Sequence, residues 1–593
     1  MDKVLDHTPL LANSKSRKHD GIASKHIQNR QKSLFDDIWY KLANMILYIL
    51  PVCLAFVALI WLVPQATRIP ARTTIAYPDL LEAGAEVLVS GLETRRWNSL
   101  ELTKAYIRRI EEVNPILRAV TEINPDALGI AASLDIERAE GHIRSPLHGL
   151  PMLLKDNIAT NDGMNNTAGS FSLLGAAVSR DSTVAAKLRV AGVIILGKAN
   201  MSQWAYFRSR NSSSGWSAYG GQVTGAYYPN MNPSGSSSGS GVATSIGLAF
   251  ASLGTETSGS IVSPASNNNL VGIKPTVGLT SRSLVIPISE HQDTIGPMTR
   301  SVYDAAAILS IIAGKDVRDN YTLAQPFSSP PDYTKALNVS SLNGARIGIV
   351  RNAIGEKEVF NLPVHDAFEV AIATIKRAGA TVIDNANYNS QEEWRADQQR
   401  VLLTVLESDI LSGLPKYLSE LSHNPNNITS LADVSNFTHH FPAEDWPERD
   451  TRIWDDALKG TENTDYKFWQ AYQKGLRWSG PDGILGALAK DNLDALILPT
   501  NWSAAMPAYA GFPIVSVPMG FYPPDSPVKK TVLWDLAEVA PNIPFGLSFV
   551  GAKWSEETLI SYAYAYEQAT QTRTKVKPLI VPKTQLKDII GKY

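Results

Sequence analysis

The longest uninterrupted feature of the hydropathy pattern is LANMILYILPVCLAFVALIWLV, Leu42 to Val63, 22 positions without a charge. As a helix it is long enough to span a hydrocarbon core, which takes about 20 residues. Trp39, Tyr40 and Trp61 sit at its edges, where amphipathic rings favour the interface, and Pro51 is tolerated within membrane spans. Lys3, Lys15, Arg17, Lys18, Lys25, Arg30, Lys32 and Lys41 precede the segment, and only Arg68 and Arg72 follow it closely. The positive-inside rule then places a basic tail, 1–41, in the cytoplasm and the bulk of the chain across the membrane, lumenal or extracellular. A cleaved signal peptide would have a shorter apolar core and a shorter polar leader, and a buried core helix is seldom uncharged for so long. The expectation is an uncleaved signal anchor at 42–63.

Residues 64–78 carry Thr and Pro and read as a linker. The pattern then turns amphipathic. Asn98 with Glu101 three residues on marks a helix start, Leu102, Tyr106, Ile110 and Val113 form its apolar face, and Pro115 marks its end. Twice a helix closes on Ala-Gly and is followed at once by a short apolar strand: VAAKLRVAG then VIIL, and VAIATIKRAG then ATVI. RIGIV (Arg346 to Val350) and DALILPT (Asp494 to Thr500) read as further strands. Such alternation predicts an α/β domain, helices covering a largely buried sheet, over 79–580. The stretch 390–480 is polar and helical, with Trp394, Trp446, Trp454 and Trp469 spaced irregularly, and reads as a variable, lid-like or peripheral insertion.

Composition narrows the function classes. A charged fraction of 19% and a net charge of −2 point to a globular protein without a nucleic-acid footprint. Ten histidines and one cysteine, Cys53, show no metal-ligand spacing and allow no intrachain disulfide, so no metal site and no cofactor is expected. Asn165, Asn200, Asn211, Asn338, Asn427, Asn436 and Asn501 stand in N-x-S/T sequons, in keeping with a lumenal glycoprotein.

Three motif matches carry little. Gly192-VIIL-Gly197-Lys198 has phosphate-loop spacing, but its interior is apolar and Ala199 replaces the magnesium-binding Ser/Thr. Gly235 to Gly239 matches G-x-S-x-G, but YYPNMNPS before it reads as turn, not strand. The Ser/Gly stretch 209–241 has linker composition, yet Trp216, Tyr219, Tyr227 and Tyr228 interleave it and VATSIGLAFASLG follows, which favours a folded glycine-rich loop.

Three further segments form one constellation: GLPMLLKDNIAT with Lys155, PSGSSSGSGVATSIG with Ser236, and GTETSGSIVSPAS with Ser260. Here the sequence resembles the amidase signature family, whose pattern runs G-x-P-x-x-x-K-D, GGSSGG, then GTD-x-GGS-I. Lys155 precedes Ser236 by 81 residues and Ser260 follows it by 24. The likeness continues through VGIKPTVGLTSR, DTIGPMTRSVYDAA, AGFPIVSVPMG and PFGLSFVG, so it covers about 77–573. The resemblance implies a large mixed central sheet covered by helices. It also implies a linear-amide hydrolase that splits a small-molecule carboxylic amide into acid and amine or ammonia. Ser260 would be the nucleophile, Ser236 the proton relay and Lys155 the general base. Backbone N–H groups from Thr257, Ser258 and Gly259 to Ser260 would bind the oxyanion.

The chemistry suits the residues. An amide needs a nucleophile, a proton donor and an oxyanion site, and lysine serves as a base only if burial or a nearby positive charge lowers its pKa. The apolar PMLL before Lys155 fits burial. Ser234, Ser238 and Ser258 replace family glycines, small for small, and Val262 stands where many members carry arginine. Trp204, Tyr206 and Phe207 are candidates for an acyl channel or for core packing. Two other functions compete: a non-hydrolytic binding protein on the same fold, which intact Lys155, Ser236 and Ser260 disfavour, and an amidotransferase subunit working with a partner, which the anchor disfavours. Substrate identity and oligomeric state are left open.

Overall fold

The computed structural model describes residues 77–590 together with 39–42 and 45. The basic tail up to residue 38, most of the predicted anchor at 42–63 and the linker up to residue 76 lie outside the described residues. Among the described residues no helix is long and apolar enough to cross a membrane.

Residues 77–590 enclose one 11-stranded mixed sheet. Its strands are β1 (Val120–Ile123), β2 (Pro151–Lys155), β3 (Ile194–Ala199), β4 (Ala251–Glu256), β5 (Val271–Lys274), β6 (Thr294–Thr299), β7 (Arg346–Ile349), β8 (Thr381–Ile383), β9 (Ala495–Pro499), β10 (Ile514–Phe521) and β11 (Pro544–Val550). Their spatial order is β1-β3-β2-β4-β6-β5-β10-β11-β9-β7-β8. β3, β2 and β4 run parallel, as do β9, β7 and β8, and antiparallel pairs join the two sets. Every residue of β2, β3, β4, β6, β9 and β11 is buried, so these strands show no alternation of buried and exposed positions, as in a sheet covered on both faces.

The helices start where the sequence signals them. Helix α1 (Ser99–Leu117) has the predicted capping box: Asn98 Oδ1 accepts from the Glu101 N–H and Glu101 Oε2 from the Asn98 N–H. Pro115 lies in its last turn rather than beyond it, because the helix closes on a left-handed Arg118. The two Ala-Gly endings close α2 (Thr183–Val190), which connects β2 to β3, and the helix between β7 and β8. A second crossover, through α3 (Ser238–Ser245), returns the chain from β3 to β4, and α4 (Val262–Asn267) follows β4. The β7–β8 helix is α5 (Leu362–Arg377).

The predicted insertion is helical: α6 (Gln391–Ser419), α7 (Leu431–His440), α8 (Arg452–Ala457) and α9 (Tyr466–Ser479). It packs against the body of the domain. Ile410, Leu414, Leu431, Val434 and Trp454 share a second hydrophobic core with Ala159, Met201, Leu284, Ile286 and Ile288 from the body of the domain.

Candidate active site

The register of the sheet creates the site. Met152 pairs with Ala251 and Leu154 with Leu253, so parallel β2 and β4 deliver Lys155 and Thr255-Glu256 to the same carboxyl-terminal edge. Open α/β sheets place ligands beyond such an edge. The loop into α3 brings Ser236 to the same point, and the Ser237 N–H donates to Ser260 O at 3.2 Å, which sets Ser260 beside the Ser236–Ser237 pair.

Lys155 is fully buried. Its Nζ lies 2.8 Å from Ser236 Oγ, 3.1 Å from Thr255 O and 2.9 Å from Thr255 Oγ1. A neutral amine has two N–H bonds and one lone pair. Both N–H groups are matched by the Thr255 oxygens, which leaves the lone pair for the Ser236 hydroxyl. Burial drives the Lys155 pKa down to about 7, against the pull of Asp293 and Glu256, whose negative charge favours the ammonium. An amine poised near neutrality can take a proton from a serine, whereas an ordinary surface lysine cannot.

Exposure sorts the three side chains by role. Ser236 and Lys155 are 0% exposed and Ser260 is 8% exposed, so solvent and substrate meet Ser260 first. Ser260 lies in a loop shaped by Glu256, a residue the sequence reading left without a role. Glu256 Oε1 accepts from the Gly259 N–H at 2.8 Å, and Oε2 accepts from the Ile261 and Val262 N–H groups at 2.7 and 3.0 Å. Gly259 was expected to offer its N–H to the oxyanion, but that donor is held by the carboxylate. What Gly259 contributes is its left-handed conformation, φ +86°, which only glycine adopts freely. The N–H groups of Ser258 and Ser260 have no acceptor among the described residues and are available to a substrate oxygen.

Thr257 is fixed from its side chain: Oγ1 donates to Asp293 Oδ1 at 2.6 Å. Asp293 also accepts from the Ile288 and Ser289 N–H groups, at 2.8 and 3.0 Å. Burial pushes its carboxyl up, and these donors work the other way. The sequence held a signal for this residue, since Asp293 opens the DTIGPMTR segment. Thr257 is also a site candidate from the sequence, but its pairing with Asp293 is visible only in the fold.

Other expectations resolve by burial. Trp204 and Phe207 are buried in the second core, Trp204 edge-on to Trp454 at 5.7 Å, so they pack rather than line a channel, while Tyr206 is 44% exposed. Lys198 is buried and donates to Ile158 O and Asn166 Oδ1 at 2.6 and 2.7 Å, a structural tie with no phosphate cradle around it. Asn200 is 0% exposed, with its amide bonded to Arg118 O and Gly221 O, so its sequon is not an acceptor in the folded protein. Asn338, Asn427, Asn436 and Asn501 are exposed. Val262 is buried.

A family model described as Amidase matches residues 101–560. The chain belongs to the amidase signature family. It is an amidase, a hydrolase of C–N bonds. A putative amidase of Arthroderma benhamiae is 51% identical over 86% of this chain and 90% of its own length. A probable amidase of Arabidopsis thaliana is 38% identical over 88% of this chain and 96% of its own. The solved peptide amidase from Stenotrophomonas maltophilia superposes with a TM-score of 0.75 at 38% identity, covering 85% of this amidase and 99% of that chain. The mixed sheet of the amidase is therefore the expected family fold.

Proposed function

We propose that this amidase cleaves linear carboxylic amides through an acyl-enzyme on Ser260, with Ser236 as relay and Lys155 as base. The observation that carries this reading is the Lys155 amine, buried, with both N–H groups matched by Thr255 and its third position 2.8 Å from Ser236 Oγ.

Ser260 Oγ attacks the amide carbonyl while its proton passes to Ser236 Oγ and the Ser236 proton passes to Lys155 Nζ. The oxyanion of the tetrahedral intermediate is met by the free Ser258 and Ser260 N–H groups. Collapse breaks the C–N bond. Ser236 gives its proton to the leaving nitrogen and regains one from Lys155, which returns to the neutral amine. Water then enters, loses a proton through Ser236 to Lys155 and attacks the Ser260 ester; collapse breaks the C–Oγ bond, the proton returns through Ser236 to Ser260 Oγ, and the acid is released. The balance is amide plus water to acid plus amine. Esters, with a better leaving group, fit the same path.

The test is a fluorophosphonate probe on wild type and Ser260→Ala. Labelling mapped to Ser260 that is lost in the variant, together with turnover, supports the reading. A folded wild type that stays unlabelled and inactive on amides and esters sinks it.

For location we infer a single-pass protein anchored at 42–63, with its catalytic domain lumenal or extracellular. The uncharged 22-residue run and the surplus of basic residues before it support this. Exposed sequons at Asn338, Asn427, Asn436 and Asn501 supply the readout: glycosidase-sensitive mobility and resistance to carbonate extraction are expected, and release by carbonate without glycans would place the protein elsewhere.

A further inference from the structure

We propose that Asp409 of the helical insertion is a positioning residue for the amidase reaction, holding the Thr257–Ser260 loop through Ser289 and Asp293. The inference rests on the reading of Ser260 as nucleophile and gives the insertion a part in that site.

Asp409 lies in the middle of α6 and is 1% exposed, a costly place for a carboxylate unless it is fully hydrogen-bonded. It is. Oδ2 accepts from Ser289 Oγ at 2.5 Å, His291 Nδ1 lies 2.9 Å from both oxygens, and Asn463 Nδ2 donates to Oδ1 at 3.0 Å. The Ser289 hydroxyl, while donating to Asp409, accepts from the His291 and Gln292 N–H groups at 3.2 Å each. That closes a tight turn, with the Asp293 N–H donating to Ser289 O at 3.0 Å. The turn aims Asp293, which takes the Ser289 and Ile288 N–H groups on Oδ2 and the Thr257 hydroxyl on Oδ1. The run Asp409, Ser289, Asp293, Thr257 is thus continuous, each contact 3.0 Å or shorter.

The same strip also borders the base. The Ile286 N–H donates to Asn157 O at 2.9 Å, and Asn157 Nδ2 reaches Thr255 Oγ1, the Lys155 partner, at 3.2 Å. The 284–293 segment is therefore pinned on one side by the insertion and touches both halves of the catalytic apparatus on the other. Glu290, His291 and Asp409 bring potential metal ligands within 4.8 Å of one another. Asn463 Nδ2 nevertheless donates to both carboxylates, at 2.7 Å to Glu290 Oε1, and Lys416 Nζ stands 3.9 Å from Glu290. The donors already present fill the role a cation would take, so the knot is structural and transmits position.

Placement of an oxyanion donor matters more to the transition state than to the ground state, since the negative charge exists only there. Loosening the loop should therefore lower kcat and leave KM nearly alone. In the full chain, Asp409→Asn and, separately, Ser289→Ala are compared with wild type on 4-nitroacetanilide and by the second-order rate of fluorophosphonate labelling at Ser260. A misplacement of about 1 Å costs on the order of a hundredfold, so a fall of about tenfold to a hundredfold in kcat is expected, with KM within about twofold. The labelling rate should fall in parallel. Asp409→Glu should not rescue, because the longer side chain cannot meet Ser289 at the same place. Ser289→Ala removes one oxygen and keeps the proposal testable if Asp409→Asn does not fold. The double variant should be no worse than the poorer single one, since both cut the same path. Unchanged kcat and labelling in folded variants, or a rise in KM alone, would overturn the inference. Loss of labelling in Ser260→Ala would at the same time keep the nucleophile reading intact, so the two claims fail separately.

Discussion

Lys155 Nζ and Ser236 Oγ stand 2.8 Å apart in a fully buried pocket where Thr255 takes the other two directions of the amine. The relationship is directional. Ser236 occupies the only place from which the lone pair can be used, and Ser236 in turn adjoins Ser260 through the Ser237 N–H to Ser260 O contact.

Removing the nucleophile should therefore abolish turnover, while removing the relay should leave binding. Ser260→Ala is expected to lower kcat by about 10⁴-fold or more, in line with serine-hydrolase knockouts. Ser236→Ala should fall steeply as well, with KM little changed, because its hydroxyl is buried beyond the substrate. Steady-state kinetics on one amide and one ester reads both outcomes.

The pH profile should carry a basic requirement. Lys155 acts as a base only when neutral, so kcat/KM should rise with pH through about 7. Asp293 holds the ammonium in favour, so Asp293→Asn should move this acid limb to lower pH. A limb that stays in place would show that Asp293 carries no charge there.

The same lysine predicts a stability slope. In the unfolded chain it keeps its proton up to pH 10.5, in the folded protein only to about 7. Between those values the unfolded state binds more protons, so stability gains up to about 1.4 kcal/mol per pH unit as pH rises. Lys155→Met lacks this slope. Its melting temperature relative to wild type should be highest near pH 6 and decline steadily towards pH 10, as thermal scans at each pH would show.

Arg208 and Glu444 form a buried ion pair at 3.1 Å, with Glu444 also accepting from Ser170 Oγ, the Phe171 N–H and Gln203 Nε2. Arg208→Met strands a buried carboxylate and should cost about 3–5 kcal/mol, measured by denaturant unfolding. Replacing Glu444 by Leu in the same variant should restore part of the loss.

Ser234 has φ +59°, a left-handed backbone conformation that favours glycine. Ser234→Gly should relieve the strain and stabilise by about 0.5–1 kcal/mol, after the entropy that glycine adds to the unfolded chain. Chemical denaturation checks the sign.

Much of this was legible in the chain itself. Local patterns announced the Asn98 cap, the two Ala-Gly helix endings, four of the eleven strands (β3, β7, β8 and β9) and the helical character of 390–480, because caps, periodicity and turn chemistry act over a few residues. Lys155, Ser236 and Ser260 were named from family spacing, and the fold brings them to one sheet edge. What the tertiary structure alone decided lies between distant segments. The sequence could not show that Gly259 gives its N–H to Glu256, that Asn200 is sealed from solvent, or that Asp409 reaches the active-site strip through Ser289. Hydrogen bonds between residues 120 positions apart depend on strand register and on which faces pack, and neither is written in local pattern. The pKa of Lys155 belongs to the same class: the sequence supplies an amine after an apolar run, and only enclosure by Thr255, Ser236 and the sheet removes the water that would keep it charged.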